Sequence, residues 1–195
     1  IDWDSEDYAT DYQAQISDDG ERWRTLYTVR EGNGRRDYLY LHDAESRYLR
    51  LNLQHSSRGQ GYGIGQLQVQ SHEFSASPNR FFEAIARDAP RGYYPRYFQQ
   101  EQGYWTVVGV GGGDSKEALL NEDGALEVDR GSFTIEPFLF SDGRLITWAD
   151  VEPAQSLADD YLPIPSVRWE LEHFWFSITA FAAGKPGESA LYARY

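Results

Sequence analysis

Cysteine and methionine are both absent from this sequence of 195 residues. Without cysteine there is no disulfide framework, no thiolate metal site and no cysteine nucleophile, and the redox compartment stays open. Positive charge is scarce: 18 Lys and Arg stand against 31 Asp and Glu, for a formal net charge of -13. That balance repels the phosphate backbone of nucleic acids and anionic membrane surfaces, so neither is expected as a partner. No run approaches about 18 uncharged apolar residues, so no membrane insertion is expected. No signal peptide is read in the chain either, but a chain that opens on Ile1 and reaches Tyr195 in the middle of a strand pattern reads as a fragment of a longer polypeptide. The missing export signal therefore says nothing about localisation.

Catalytic signatures are missing too. The four His, at positions 42, 55, 72 and 173, are scattered and show no paired ligand spacing, so no metal site is expected. No G-x-S-x-G elbow occurs. Gly111-Gly-Gly-Asp-Ser-Lys116 satisfies neither phosphate-loop pattern and reads as a turn, so no cofactor is expected. Glycoside hydrolysis needs two carboxyl groups at a set separation. The pairs Glu122/Asp123 and Asp150/Glu152 sit near turns beside aromatics and read as solvated turn acids; no catalytic residue is assigned.

What the chain has in quantity is alternation. Residues 10–17 place Tyr12, Ala14 and Ile16 on one face and Asp11, Gln13 and Gln15 on the other, the period of a half-buried strand. Asp18-Asp19-Gly20 then predicts a tight two-residue turn, because Asp-Gly tolerates positive φ. Trp23, Leu26, Tyr27 and Val29 mark the returning strand. Further strands are expected over 37–41 and over 47–54, the latter with Leu49, Leu51 and Leu53 facing inward. Residues 71–79 are polar and end in Ser-Pro, a linker pattern, and residues 80–87 predict a short helix stopped near Pro90. Beyond Gly92, strands are expected over 93–98, 104–110, 118–128, 133–140, 144–148, 167–171, 174–181 and from 190 onward, with a hairpin at Ser141-Asp-Gly143. Regular turns between short alternating strands indicate an all-β chain with two antiparallel β-sandwiches.

The first third also carries a resemblance. Trp3, Tyr8-Ala-x-x-Tyr12, Ser17-Asp-Asp-Gly20-x-x-Trp23, Arg47-Tyr-Leu-Arg-Leu51 and Gly63-Ile-Gly-Gln-Leu-Gln-Val69, in this order and spacing, resemble the C-terminal half of the discoidin family, also called coagulation factor 5/8 type C. The resemblance implies a jelly-roll β-sandwich, truncated at its start, that often binds carbohydrate in bacterial proteins. The half lacking here is where that family's calcium site usually lies. A looser similarity links residues 92–195 to the N-terminal β-sandwich of some bacterial glycoside hydrolases. It rests on Tyr93-Tyr-Pro-Arg-Tyr97, Leu120-Asn-Glu-Asp-Gly124, Ile146-Thr-Trp-Ala149, Pro163-Ile-Pro165 and Thr179-Ala-Phe-Ala182. The organisation implied is a discoidin-like module over 1–72, a linker with a short helix over 73–91, and a partial sandwich over 92–195. The setting implied is a modular, secreted, glycan-active protein, extracellular or periplasmic.

Two loops then become candidates, because the resemblance puts both at the ligand end of the sandwich. The first, residues 4–9, offers Asp7 and Tyr8. The second, Ser56-Ser-Arg-Gly-Gln-Gly-Tyr-Gly63, has three Gly that permit close approach of a ligand to main chain. In it Tyr62 would stack on a sugar face and Arg58 would donate hydrogen bonds to ring hydroxyls. Other readings stay open at this point. Tyr8 can pack over the sandwich end, Tyr62 can cover the core and Arg58 can pair with a loop carboxylate. The functions consistent with the sequence are carbohydrate binding, a purely structural role, and adhesion to another surface.

Overall fold

A computed structural model describes residues 1–4, 6–112 and 117–195, so most of the turn expected at Gly111 to Lys116 lies outside the described residues. Among the described residues the chain is all-β apart from one α-helix and three short 3-10 turns, and each sheet is antiparallel. It divides into two compact units, Ile1–Ile85 and Ala86–Tyr195.

The first unit pairs two layers. Strands β1 (Asp2–Trp3) and β5 (Ile64–Gln66) form one; β2 (Ala9–Ser17), β3 (Arg24–Val29) and β4 (Tyr48–Ser56) form the other in the order β3-β2-β4. The β2 alternation puts Tyr12 opposite Val29 and Leu53, and Ala14 opposite Tyr27 and Leu51. Trp3, Ala9 and Tyr12 are buried together, with Leu39, Leu51 and Leu53 packed against them. The Trp3 and Tyr12 rings meet edge to face at 5.2 Å. Both donate to one acceptor, Asp37 Oδ2, each at 2.7 Å. Burial, then the bond to Asp37, raises the Tyr12 hydroxyl pKa far above its ordinary value.

The opposite face of β2 carries a polar lattice. Gln15 Nε2 donates to Gln13 Oε1 (2.9 Å) and to Thr25 Oγ1 (3.0 Å), while Arg50 Nε donates to Gln15 Oε1 (2.8 Å). The Arg50 guanidinium lies 4.0 Å from the centre of the Trp23 ring.

Several expected features take another form. The Asp18-Asp19-Gly20 turn is longer than two residues: pairing stops at Ile16 and Arg24, and Trp23 lies outside β3. The cause is the Asp19 carboxylate. Its Oδ1 accepts from Ser17 Oγ (3.0 Å) and from the backbone N–H groups of Glu21 (2.9 Å) and Arg22 (2.8 Å), which wraps the chain round the side chain. Those bonds lower the Asp19 pKa to about 2. Residues 37–41 form no strand. The Asp37 backbone bonds to that of Ile1, while Tyr38 stacks on Phe74 and Tyr40 packs edge to face on Phe81, so side-chain packing holds the segment without a ladder. Leu49 is 40% exposed rather than inward, because the core built on Trp3 extends over Leu51 and Leu53 and stops there.

The polar stretch 71–79 contains the 3-10 turn His72–Ser75, and helix α1 is Pro78–Asp88. Pro78 starts the helix where a missing N–H is harmless, and Ser77 Oγ accepts from Arg80 N at 3.2 Å. Phe81 packs edge to face on Tyr40 and Phe74, each at 5.4 Å, so the start of α1 belongs to the first unit.

The second unit has one four-stranded sheet of β6 (Trp105–Val108), β7 (Ala118–Asn121), β8 (Leu126–Glu127) and β9 (Thr134–Ile135). The hairpin β10 (Leu139–Ser141) and β11 (Arg144–Ile146) follows. A second four-stranded sheet holds β12 (Ala154–Ala158), β13 (Leu162–Glu170), β14 (Trp175–Lys185) and β15 (Glu188–Arg194). Val108, Leu120 and Leu126 of the first sheet share one core with Val167, Trp169, Ile178 and Ala180 of the second, which is a sandwich. The β10–β11 turn is Asp142-Gly143, both at positive φ, as a two-residue hairpin of this kind requires. The strand expected over 133–140 is broken in two by Pro137, which has no N–H to give a ladder.

Residues 93–98 are not a strand but lead into a 3-10 turn, Arg96–Gln99. Side chains decide this. Trp148 Nε1 donates to Tyr94 O (3.1 Å), and Arg96 Nε and Nη2 reach the two oxygens of Asp123 at 2.5 and 2.8 Å. Asp123 is 1% exposed, and its own carbonyl accepts from Trp169 Nε1 at 2.9 Å. The guanidinium carbons of Arg96 and Arg91 lie 4.2 and 4.5 Å from the Trp148 ring centre. Asp123 is therefore a buried ion-pair partner, not a solvated turn acid. Glu122 Oε2 accepts from Tyr104 N at 2.8 Å, and Asp150 caps the 3-10 turn Trp148–Asp150 by accepting from Thr147 N and Oγ1, each at 2.9 Å. Glu152 is exposed.

Candidate functional site

The two loops singled out by sequence meet at one end of the first unit, and backbone bonds stitch them together. Ser57 N donates to Tyr8 O (2.9 Å), Gly63 N to Asp7 O (2.5 Å) and Asp4 N to Gly63 O (2.9 Å). Ser57 Oγ accepts from Tyr8 N (3.2 Å) and donates to Glu6 O (3.0 Å). The returning strand β4 ends at Ser56, whose hydroxyl accepts from Arg58 N and Gly59 N and so turns the chain sharply. Gly59 and Gly61 hold φ of +70° and +142°, and a side chain at either would project into open space. The loop crest is thus open while its two ends are tied to residues 4–8.

The four candidate residues take different places on this rim. Tyr62 sits on the crest with 39% of its surface exposed. Tyr8 packs inward against Trp3, Ala9 and Tyr12, and its ring closes over Gly34 so tightly that a Cβ there would lie 2.7 Å from Tyr8 Cδ1. Arg58 forms a salt bridge from Nη2 to Glu6 Oε2. That bond, with the Asp7 and Asp4 charges adding to it, raises the guanidinium pKa. Asp7 is half-buried, and its Oδ1 is shielded from solvent with no hydrogen-bond partner among the described residues. A buried carboxylate oxygen without a donor is unfavourable, and a ligand hydroxyl is one group that relieves it.

The arrangement brings Asp7, Arg58 and Tyr62 to one loop end and sets Tyr8 beneath them as support. Sequence reading left open that Arg58 pairs with a loop carboxylate, which is Glu6, and missed Ser56 and Ser57, which tie the loops. Their signal was present: serines flanking a Gly-rich run are turn formers that bond to nearby backbone. Groups of three or more metal-ligating side chains are absent among the described residues. Among the described residues no helix is long and apolar enough to cross a membrane.

Comparison with protein-family models, with curated proteins and with solved structures returns no match to this chain.

Proposed function

We propose that the chain binds carbohydrate through the loop end of its first unit, as a discoidin-like, non-catalytic module of a secreted glycan-active protein. The observation that carries this reading is the unpartnered Asp7 Oδ1 beside a crest that exposes Tyr62. Asp7 is bonded through its carbonyl to Gly63, the residue after Tyr62, so the two loops are joined beside the crest. A sugar presents an apolar ring face to the tyrosine and a hydroxyl donor to the carboxylate. Arg58, already oriented by Glu6, offers its remaining N–H groups to ring oxygens. The net charge of -13 favours neutral sugars over acidic ones.

The test is calorimetric titration of the full chain with galactosides, glucans and mannosides, repeated on Tyr62→Ala and Asp7→Asn. Saturable binding that weakens at least about tenfold in either variant, near 1.4 kcal/mol, is the expected result. Binding untouched by both variants, or no binding to any sugar, overturns the reading. A second reading, adhesion to another protein, draws on the outer face of the sheet holding β14 and β15. There Phe181 and Tyr192 stack at 5.1 Å, both exposed, and Trp175 is exposed on the same face.

A further inference from the structure

We infer that the second unit carries a ligand site of its own, a cleft of about 350 Å³ at the open seam of its sandwich, fitted to a neutral polyhydroxylated ring. This inference is independent of the loop site in the first unit. The seam exists because β6 and β12 are edge strands of the two facing sheets, and between them the sandwich has no further strand to close it. The buried side chains of Leu120 and Val167 form the floor, so the cleft is backed by the core rather than by a mobile loop.

The walls differ in chemistry. On the β6 side stand Tyr104 and Trp105, both exposed, the indole by 37%. On the β12 side stand Gln155, Leu157 and Pro165, which share the inner face with Val167, with Glu122 at one end. These polar groups are held in place before any ligand arrives. Gln155 Nε2 donates to Glu122 O at 3.1 Å, and Glu122 Oε2 accepts from Tyr104 N at 2.8 Å. An aromatic wall facing a fixed amide and a carboxylate is how a concave site binds a ring with an apolar face and a polar rim.

The charges select the ligand class. Glu122 is the one ionisable acid lining the cleft, and no Lys or Arg lines it. The nearest guanidinium, that of Arg96, is committed to Asp123 and Glu101 and already lies 3.4 Å from Glu122. An anionic ligand would meet a carboxylate with no free cation, and a cationic ligand would meet a carboxylate that is already compensated. A purely apolar ligand would strip water from the Gln155 amide and Glu122 carboxylate without replacing it. A neutral polyol satisfies these polar groups and lays its apolar face on the aromatic and aliphatic lining. The volume is at the lower end for small-molecule sites and suits a monosaccharide or disaccharide.

The experiment uses the full chain, with Tyr62→Ala as a background that disables the loop site. Glucose, galactose, mannose and their β-linked disaccharides are titrated while tryptophan fluorescence is followed, and tetramethylammonium and inorganic phosphate serve as charged probes. Trp105→Ala and Gln155→Ala are the cleft variants; Gln155 is exposed, so its truncation leaves the core intact, and far-UV circular dichroism verifies this. The expected result is that Tyr62→Ala removes the loop component only, and that the saturable sugar binding left in this background weakens at least tenfold in both cleft variants. Sugar binding unaffected by the cleft variants overturns the inference while leaving the loop reading standing. Binding lost in the cleft variants but unchanged by Tyr62→Ala and Asp7→Asn sinks the loop reading and supports the cleft. Saturation by tetramethylammonium or phosphate, with none by sugars, overturns the assigned ligand class.

Discussion

Replacing Glu136 by glutamine is expected to stabilise the protein at alkaline pH and to do little near pH 4. Glu136 follows the short strand β9, and Pro137 turns the chain there toward the core. Its Oε2 is shielded from solvent without a hydrogen-bond partner among the described residues. Burial, and secondarily the charge of Asp123, raises the Glu136 pKa from 4.5 to about 7. The folded state therefore holds this proton more tightly than the unfolded chain does. Below about pH 4.5 both states are protonated and the side chain carries no penalty. Between 4.5 and 7 the unfolded chain ionises first, so folding stability falls as pH rises. Above about pH 7 the full penalty is in place. A shift of this size, at 1.36 kcal/mol per unit, amounts to at most about 3 kcal/mol. Glutamine removes the ionisation but keeps the shape. The assay is urea unfolding of wild type and Glu136→Gln between pH 4.5 and 8.5, followed by tryptophan fluorescence. The difference in unfolding free energy should grow with pH and level off above pH 7. A difference that is constant across this range would falsify the argument, because it would locate the effect in packing rather than ionisation.

Other outcomes follow from the same contacts. Arg96→Ala leaves the Asp123 carboxylate buried and unpaired, and should destabilise the second unit by about 3–5 kcal/mol in urea unfolding. Tyr12→Phe removes one of the two donors to Asp37 Oδ2, and should lower the stability of the first unit by about 1.5–3 kcal/mol in the same assay; Asp37→Ala should cost more, since it strands the Trp3 donor as well. Asp19→Ala removes the carboxylate that organises the β2–β3 turn, and should increase amide hydrogen exchange at Glu21 and Arg22 while leaving the Tyr12 and Ala14 amides protected.

Short-range pattern was enough for much of the architecture. Period-two alternation located β2, β4, β13 and β14, and Asp142-Gly143 placed the β10–β11 hairpin, because side-chain direction and positive φ are properties of adjacent residues. Pattern failed where a distant partner decided the backbone. Residues 37–41 alternate like a strand, yet only the Asp37 end is bonded backbone to backbone, to Ile1, among the bonds of the described residues, and Tyr38 and Tyr40 make ring contacts with Phe74 and Phe81. Residues 93–98 are rich in aromatics, but Arg96 is drawn to Asp123, 27 positions away. β12, Ala-Gln-Ser-Leu-Ala, has no β-branched or aromatic residue and is a strand because β13 pairs with it.

The loop site divides along the same line. Its serines, glycines, Tyr62 and Arg58 were legible as a Gly-rich loop in the chain, since loop chemistry is local. That Tyr8 turns inward, that Glu6 captures Arg58 and that Asp7 Oδ1 finds no donor among the described residues depend on two segments some fifty residues apart being bonded into one rim. The cleft of the second unit is further still from the sequence. It is the space between two sheet edges, and an empty volume is set by which strands lie opposite one another, a relation that no stretch of neighbouring residues encodes.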